Sequence, residues 1–560
     1  MKLVECVPNF SEGRDRAVLD ALAEAIKSVS DVRLLDIDPG EATHRTVFTF
    51  VGPPDAAGEA AYRAIARAAE LIDMRAHRGA HPRMGATDVC PFVPLAGASM
   101  QECVELARRL GERVGRELRI PVYLYEQAAS QPSRRALSDI RQGEYEGLRE
   151  KLTDPVWKPD FGPAALNEKS GATAIGAREF LIAYNVNLNT RDQKLATLIA
   201  QNIRETGRPR RNAQGQVMRD AAGRALTEPG PSRLPNVRAT GWYIEEYGRA
   251  QVSINLTDFQ VTPPHAVFEA VEKEAREMGL RATGSEVVGL IPAEALRIAG
   301  RHYLARQGKS PAAPDSELFR MAAITLGLQE LGGFDMDAKV VERRVSGPGR
   351  LAGMTVGEFT DVVSSSTPAP GGGSVAALCG ALAGALSAMV MALTYERKGY
   401  EAAREDLASL GSEAQAVKDR LVRAVDDDAA AFRRFMDAGR TARAVRGGTA
   451  ADAESAARQL EEATRATIEV PLSVMRDALR AAELAAEAAR RGMPSAVTDA
   501  GVAALAACAA VEGAYYNVRI NLSGAGELSG AAALREEAER LLSRAEEVRR
   551  TTSALVREKL

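Results

Sequence analysis

At 560 residues, and roughly 100 to 200 residues per domain, the chain has room for about three domains. Its 72 Lys and Arg nearly cancel its 75 Asp and Glu, for a formal net charge of −3, so there is no global basic field for nucleic acid. The five cysteines, Cys6, Cys90, Cys103, Cys379 and Cys508, include no CxxC pair for a zinc ribbon and no even set for a disulfide framework, and a reducing compartment is expected.

The opening "MKLVECVPNFSEG" reaches Glu5 before any apolar run long enough for a secretory signal, so a cytoplasmic location is expected. "KLVECVP" reads as a strand, 14–27 as a helix, "VRLLDID" and "RTVFTFVG" as a hairpin, 55–72 as a helix and "TDVCPFVPL" as a strand. A helix over 100–116 and the strand "PVYLYE" extend this unit. The order then recurs: "EFLIAYNVNL" is a strand, 192–205 a helix, "VRATGWYIEEY" and "AQVSINLTD" a hairpin, 265–278 a helix and "ATGSEVVGLIP" a strand. Thr190 is the expected N-cap of the first of these helices, and Pro263-Pro264 precedes the second at His265. The polar stretch 207–235, punctuated by Gly and Pro, reads as a surface excursion. This repetition predicts an α+β N-terminal part made of two ferredoxin-like βαββαβ subdomains, 1–177 and 178–330, with a cleft between their sheets.

Beyond 353 the composition turns to Ala, Glu, Arg and Leu, which predicts an all-α helical bundle over 354–560. The segment 331–353 supplies a charged run and then Gly-Pro-Gly and is expected to be a linker, with the boundary between Gly347 and Gly353. From Thr367 to Tyr395 there is no charge, and the helical part is long enough to cross a bilayer. Its Ala and Gly content and the absence of a basic cluster before it favour a buried central helix, while the small face of Gly380 and Gly384 allows close helix contact in soluble bundles and membranes alike.

Chemistry concentrates in "HRGAHPR", where His77 and His81 stand four apart. Gly79 and Pro82 argue against a helix here, and no carboxylate or third histidine lies in the run, which speaks against zinc. Between Arg78 and Arg83, His81 suits a general base acting on an anionic substrate, and a plain surface histidine stays open. His44 sits at the hairpin beside Arg45, where lining the cleft is open to it but not demanded by its spacing; Arg45 is a candidate substrate contact, whereas His265 and His302 read as structural or solvated. In the C-terminal part, "PAPGGGS" precedes the uncharged helix, and free backbone NH groups at such a start can hold an anion. Ser374 is either a cap or a ligand contact there. "AVDDDAAAF" puts Asp426, Asp427 and Asp428 on one helix, where at most one or two can face a site. Asn517 and Asn521, at i and i+4, present two amides on one face, for packing or for ligand. Asp499, near a helix start, reads as a cap or a first-turn acid.

"LVECVPNFSEGR" (3–14), "THRTVFTFVG" (43–52), "AHPRMGATDVCPFVPL" (80–95), "VYLYEQAA" (122–129) and "ATGWYIEEYGRAQVSINLTDF" (239–259) closely resemble glutamate formimidoyltransferase. "TPAPGGGSVAALCGALAGALSAMV", "VDDDAAAF" and "GAYYNVRINL" resemble formimidoyltetrahydrofolate cyclodeaminase. Together, over nearly the whole chain, they are similar to the bifunctional formimidoyltransferase-cyclodeaminase family of histidine degradation. The resemblance implies transfer of the formimidoyl group of N-formimidoylglutamate to N5 of tetrahydrofolate, then cyclisation to 5,10-methenyltetrahydrofolate with loss of ammonia. It implies tetrahydrofolate, polyglutamylated, as co-substrate and a homo-oligomer; from the residues themselves, no metal, nucleic-acid or membrane partner is expected.

The resemblance also carries residues. It makes His81 the acid/base of transfer, with His77 and Arg83 orienting it or holding a carboxylate. It places folate against Gly162, Pro163, Ala164, Ala165, Leu166, Asn167, Glu168, Lys169, Ser170 and Gly171, with Lys169 meeting a folate carboxylate. It makes Asp428 the cyclodeaminase acid/base and matches Asp426, whereas Asp427 departs from the pattern; Ser374, Asn517 and Asn521 are further candidates for that site. The competing readings are a folate-binding scaffold with one active half and a metal-dependent hydrolase built on His77 and His81.

Overall fold

The first segments form a sheet buried on both faces, with Cys90, Phe92, Leu124 and Ile175 in one core and Val89, Tyr123, Tyr125 and Ala174 in another. The elements are β1 (Leu3–Cys6), α1 (Arg16–Lys27), β2 (Arg33–Gly40), β3 (Arg45–Gly52), α2 (Pro54–Leu71) and β4 (Thr87–Ala96), followed by α3 (Met100–Arg113), β5 (Val122–Glu126) and β6 (Thr173–Ala177). The structure is a computed structural model and describes every residue except 1, 42, 80, 221, 222, 224, 347, 348, 446–448 and 525–527. The expected domain boundary, 347–353, therefore begins outside the described residues.

The first sheet has seven strands in the order β2-β3-β1-β4-β6-β5, with the short strand Asn9–Phe10 continuing β1 between β3 and β4. β4 and β5 run parallel to β6, and the other pairs are antiparallel. Asp15 caps α1 by accepting from the Ala17 and Val18 amides, and Ser99 opens α3 in a capping box with Glu102. The apolar stripes of α1 and α2, including Leu22, Ile26, Ala61 and Ile65, close on Phe48, Phe50 and Phe92 of the sheet. Burial of each such Leu, Ile or Phe side chain contributes about 1.5–3 kcal/mol. Cys6 and Cys90 face each other in this core as free thiols, their sulfurs 3.6 Å apart.

The second sheet repeats the plan. β7 (Ile182–Leu188), α4 (Gln193–Ile203), β8 (Val237–Ile244), β9 (Arg249–Leu256), α5 (Pro264–Glu277) and β10 (Ala282–Val288) give an antiparallel sheet ordered β8-β9-β7-β10. Counted within its own repeat, each sheet thus has the order second-third-first-fourth. The N-cap of α4 is Asp192 and not the expected Thr190: Asp192 accepts from the Lys194 amide, while the Thr190 hydroxyl accepts from the Asp192 amide one step earlier. α5 begins one residue before His265, because the ring of Pro264 fits the first helical position.

The chain divides into two compact units, Met1–Ala299 with Ala322–Val345, and Gly300–Met321 with Ser346–Leu560. Residues 300–321, expected to lie with the second α/β repeat, thus group with the helices. Gln415 donates to the Ala312 carbonyl, and Lys309 pairs with Glu396. Part of the expected linker is also ordered packing: Val340 bridges to Ile291, and Val340 and Val341 are buried.

The helical unit is built on α6 (Gly372–Glu396), α7 (Arg404–Ala444), α8 (Ala450–Arg491), α9 (Val497–Gly524) and α10 (Ala531–Lys559). α6 packs against α7, α8 and α9, the position of a central bundle helix. Small residues allow this approach: a methyl on Gly380 would stand 3.0 Å from Leu421, and one on Gly384 would stand 3.1 Å from the Ala414 carbonyl. Among the described residues, α6 and the segment Pro494–Gly524 are both long and apolar enough to cross a membrane.

Candidate functional site

The loop before β4 is held by hydrogen bonds that make braces of several of its side chains. Glu12 accepts from the amides of Gly13, Arg14 and Asp15 and from His44 Nε2 at 3.0 Å. His44 Nδ1 lies 2.8 Å from the Arg78 carbonyl, and its ring stacks on that of His77 at a centroid distance of 4.3 Å. His77 accepts from Arg83 Nε on Nδ1 at 3.2 Å and donates from Nε2 to the His44 carbonyl at 2.9 Å. Both of its nitrogens are engaged, and burial first, then the nearby His44 and Arg83 charges, lowers its pKa. His77 therefore has no lone pair for a metal. Among the described residues, no group of three or more His, Cys, Asp or Glu side chains is placed to hold one.

Arg83, expected to orient the base or hold a substrate carboxylate, is buried and already paired. Its Nη1 and Nη2 each lie 2.7 Å from a Glu146 oxygen, and Nη1 also reaches Glu144 at 3.1 Å. Such a fork on a carboxylate leaves Arg83 as a brace for His77 and the loop.

His81 is half-buried, and its Nδ1 lies 2.8 Å from the carbonyl of its neighbour Pro82. That carbonyl can only accept, so Nδ1 carries the hydrogen and Nε2 presents the lone pair. Burial, followed by the charges of Arg45 and Arg141, pushes the pKa of His81 down to about 3, with Asp88 opposing. The ring is neutral at physiological pH, the state a general base requires.

Asp88 lies in β4 with no solvent exposure. Its Oδ1 accepts from the Met84 amide at 3.0 Å and Arg141 Nε at 3.3 Å; its Oδ2 accepts from Arg45 Nη1 and Arg141 Nη2, both at 2.5 Å. Burial alone would raise this carboxyl, but Arg141 and Arg45 overcome it and hold it well below the usual range. Burial lowers Arg45 to about 10, and Asp88 acts against that shift. Of this cluster the sequence pointed to Arg45 and His81; Asp88 and Arg141 were missed, the one inside a strand and the other just after a four-residue helix, Leu137–Ile140.

The stretch 162–171 reaches the same place by backbone pairing. The Ala86 amide donates to the Ser170 carbonyl at 2.8 Å, and the Ala172 amide donates to the Met84 carbonyl at 3.0 Å. Gly162 and Gly171 adopt φ of +81° and +70°, and a methyl on Gly171 would stand 2.2 Å from the Met84 carbonyl. Asn167 closes the turn by accepting from the Ser170 amide at 3.0 Å, and Leu166 packs on a core that includes Met84 and Tyr123. Pro163 is half-buried, and Ala164 and Ala165 are exposed. Two charged members of the stretch are engaged within the protein: Lys169 Nζ donates to the Glu70 carbonyl at 2.5 Å, and Glu168 pairs with Arg149. Lys169 thus spends one of its three ammonium donors on a carbonyl near the end of α2.

In the helical unit the start of α6 meets α7 and α9. Gly371 is the cap residue, without a side-chain bond, so Ser374 is not the cap. Its hydroxyl is buried between the Val425 carbonyl at 2.9 Å and Asp428 Oδ2 at 3.0 Å. Asp428 thus lies over the first turn of α6, where burial raises its pKa and Ser374 partly offsets the shift. A carboxyl raised toward neutrality suits proton transfer.

The other candidates separate around that carboxyl. Asp426 accepts from the Leu351 and Ala352 amides at 2.8 and 3.1 Å, which makes it an anchor for the segment before the bundle. Asp427 is exposed. Asn517 stands at the α6 start, its Nδ2 donating to the Gly513 carbonyl at 2.8 Å and lying 3.6 Å from where a methyl on Gly372 would be. Asn521 donates to the Thr467 carbonyl at 2.6 Å and ties α9 to α8, so the two amides do different work.

Comparisons with known proteins agree across both units. The formiminotransferase domain, N-terminal subdomain, matches residues 3–178, the formiminotransferase domain matches 183–346, and the formiminotransferase-cyclodeaminase family matches 355–540. The formimidoyltransferase-cyclodeaminase of Mus musculus is 42% identical over 525 residues, 93% of this chain and 92% of that protein. That of Sus scrofa is 40% identical over 563 residues, 100% of this chain and 99% of that protein. The glutamate formimidoyltransferase of Thermoplasma acidophilum is 44% identical over 310 residues, 55% of this chain and 94% of that protein.

Proposed function

The chain belongs to the formimidoyltransferase-cyclodeaminase family, and on that footing we propose that it carries both activities in succession. The formimidoyl group of N-formimidoylglutamate passes to N5 of tetrahydrofolate, and the 5-formimidoyl adduct cyclises to 5,10-methenyltetrahydrofolate with release of ammonia, in the breakdown of histidine to glutamate. The observation that carries the first step is His81: neutral, with Nδ1–H fixed by Pro82 and the Nε2 lone pair available.

In that step N5 attacks the amidine carbon and His81 Nε2 takes the N5 proton. The imidazolium then returns the proton to the glutamate nitrogen as the old carbon–nitrogen bond breaks. The nearby Arg45 and Arg141 disfavour the imidazolium in the free protein; a bound substrate anion screens them and makes the protonated intermediate accessible. The wall from Gly162 to Gly171, joined by backbone to residues 84–86, is the side against which the folate lies.

In the second step N10 attacks the formimidoyl carbon, and Asp428 moves the proton that lets the amine leave as ammonia. Ser374 orients that carboxyl, and Asn517 stands close enough to the α6 start to contact ligand. The matching strand orders of the two sheets support reading each repeat as ferredoxin-like. We further propose that the protein works in the cytoplasm as a homo-oligomer on polyglutamylated tetrahydrofolate and without a metal; the engaged nitrogens of His77 support the last point.

The test is formation of methenyltetrahydrofolate by the purified chain from N-formimidoylglutamate and tetrahydrofolate, with one ammonia released per product. Accumulation of the 5-formimidoyl adduct without product would leave only one active half. No turnover of either substrate would refute the reading.

A further inference from the structure

Asp88 holds two arginines beside His81, and the arrangement has more donors than the protein uses. Its four hydrogen bonds, two on each oxygen, engage Arg45 Nη1, Arg141 Nε, Arg141 Nη2 and the Met84 amide. Arg45 Nε is held by Asn9 Oδ1 at 3.1 Å. Among the described residues, Arg45 Nη2 and Arg141 Nη1 have no protein acceptor. Asp88 is fully buried, and the Arg45 and Arg141 side chains are 8% and 15% exposed. Two guanidinium groups on one carboxylate leave a positive charge in a largely desolvated place, which is unfavourable unless an anion completes it.

Resting on the reading of His81 as the acid/base, we propose that Arg45 and Arg141, yoked by Asp88, form a carboxylate-binding fork that fixes a glutamate carboxylate of a substrate beside His81. The planar donors match a carboxylate in a way that a lysine ammonium does not. Asp88 is a positioning residue: it touches no substrate and sets the angle between the two guanidinium groups. The carboxylate has two sources, the glutamate of the formimidoyl donor and the glutamyl tail of tetrahydrofolate.

The experiment is steady-state transfer by full-length Arg141→Gln, Arg141→Lys and Asp88→Asn, varying each substrate in turn, with cyclisation of supplied 5-formimidoyltetrahydrofolate as the control for folding. The fork predicts at least a tenfold rise in KM for one substrate, little change in kcat, no rescue by Arg141→Lys and unchanged cyclisation. If the donor supplies the carboxylate, the KM for N-formimidoylglutamate rises. If the folate tail supplies it, the KM for tetrahydrofolate rises, and the difference from wild type vanishes with tetrahydropteroate, which lacks the tail. Both KM values within twofold of wild type would overturn the fork, as would loss confined to kcat.

Should the variants fail to fold, the wild-type chain decides. With the donor as source, glutarate inhibits competitively against N-formimidoylglutamate far better than its neutral diamide; with the tail as source, a tailed folate analogue outcompetes its tailless counterpart. Equal inhibition within both pairs overturns the proposal. Donor and folate binding to His81→Ala, measured by calorimetry, separates the two readings: the fork predicts that both still bind, while continued transfer by that variant would sink only the acid/base role.

Discussion

Gly373→Ala tests the second site through a single methyl. Gly373 is the second residue of α6, and the added carbon would stand 2.1 Å from Asp428 Oδ1, 2.5 Å from its Cγ and 2.7 Å from its Oδ2. Backbone stability does not oppose the change, since Ala in a helix is favoured over Gly by roughly 0.5–1 kcal/mol. The carboxyl must instead swing away by about 1 Å to restore van der Waals distance, and that movement takes Oδ2 off the Ser374 hydroxyl now at 3.0 Å. A displacement of about 1 Å at a reacting group costs on the order of 100-fold in rate. Cyclisation of supplied 5-formimidoyltetrahydrofolate, followed by absorbance of the methenyl product, should fall by about that factor, while transfer stays within about twofold. In an Asp428→Ala background the same methyl should have no further effect, because the atoms it displaces are gone. Wild-type cyclisation by Gly373→Ala, or an equal additional loss in the Asp428→Ala background, would refute the reasoning.

Three further expectations follow from the two units. His81 has a depressed pKa, so the unfolded chain binds a proton there that the folded chain does not, between the ordinary value of 6.5 and about 3. Stability from this group is complete above pH 6.5 and is lost as the pH falls through that window; His81→Gln should flatten this acid limb in denaturant titrations. Asp426→Ala removes the acceptor of the Leu351 and Ala352 amides and should lower stability by about 2 kcal/mol, read as a lower midpoint in urea, with transfer by folded protein unchanged. Exhaustive chelation should leave both activities intact, and loss that returns with added zinc would restore the metal reading.

The alternation of the strands, the helical periodicity and the repeated βαββαβ order were legible because each is a local property of consecutive residues. The site was legible only in part. Asp88 meets Arg45 across 43 residues and Arg141 across 53, distances at which no local pattern operates. Arg83 and Lys169 carried the right charge for a substrate carboxylate, but folding supplies each with a protein acceptor, Glu146 and the Glu70 carbonyl. The aspartates of "DDD" were indistinguishable by composition. A helix turns about 200° between Asp426 and Asp428, which sends the first to the Leu351 turn and the second to Ser374. Residues 300–321 joined the helical unit through contacts with Gln415 and Glu396, more than 80 residues away.

The central claim is that one chain holds two separate proton-transfer sites, with His81 in the first and Asp428 in the second. The direct measurement sets the two half-reactions of His81→Ala beside those of Asp428→Asn. The account predicts that His81→Ala loses transfer to tetrahydrofolate but cyclises supplied 5-formimidoyltetrahydrofolate, and that Asp428→Asn accumulates that adduct without releasing ammonia. Transfer undiminished in the first variant, or cyclisation undiminished in the second, would contradict it.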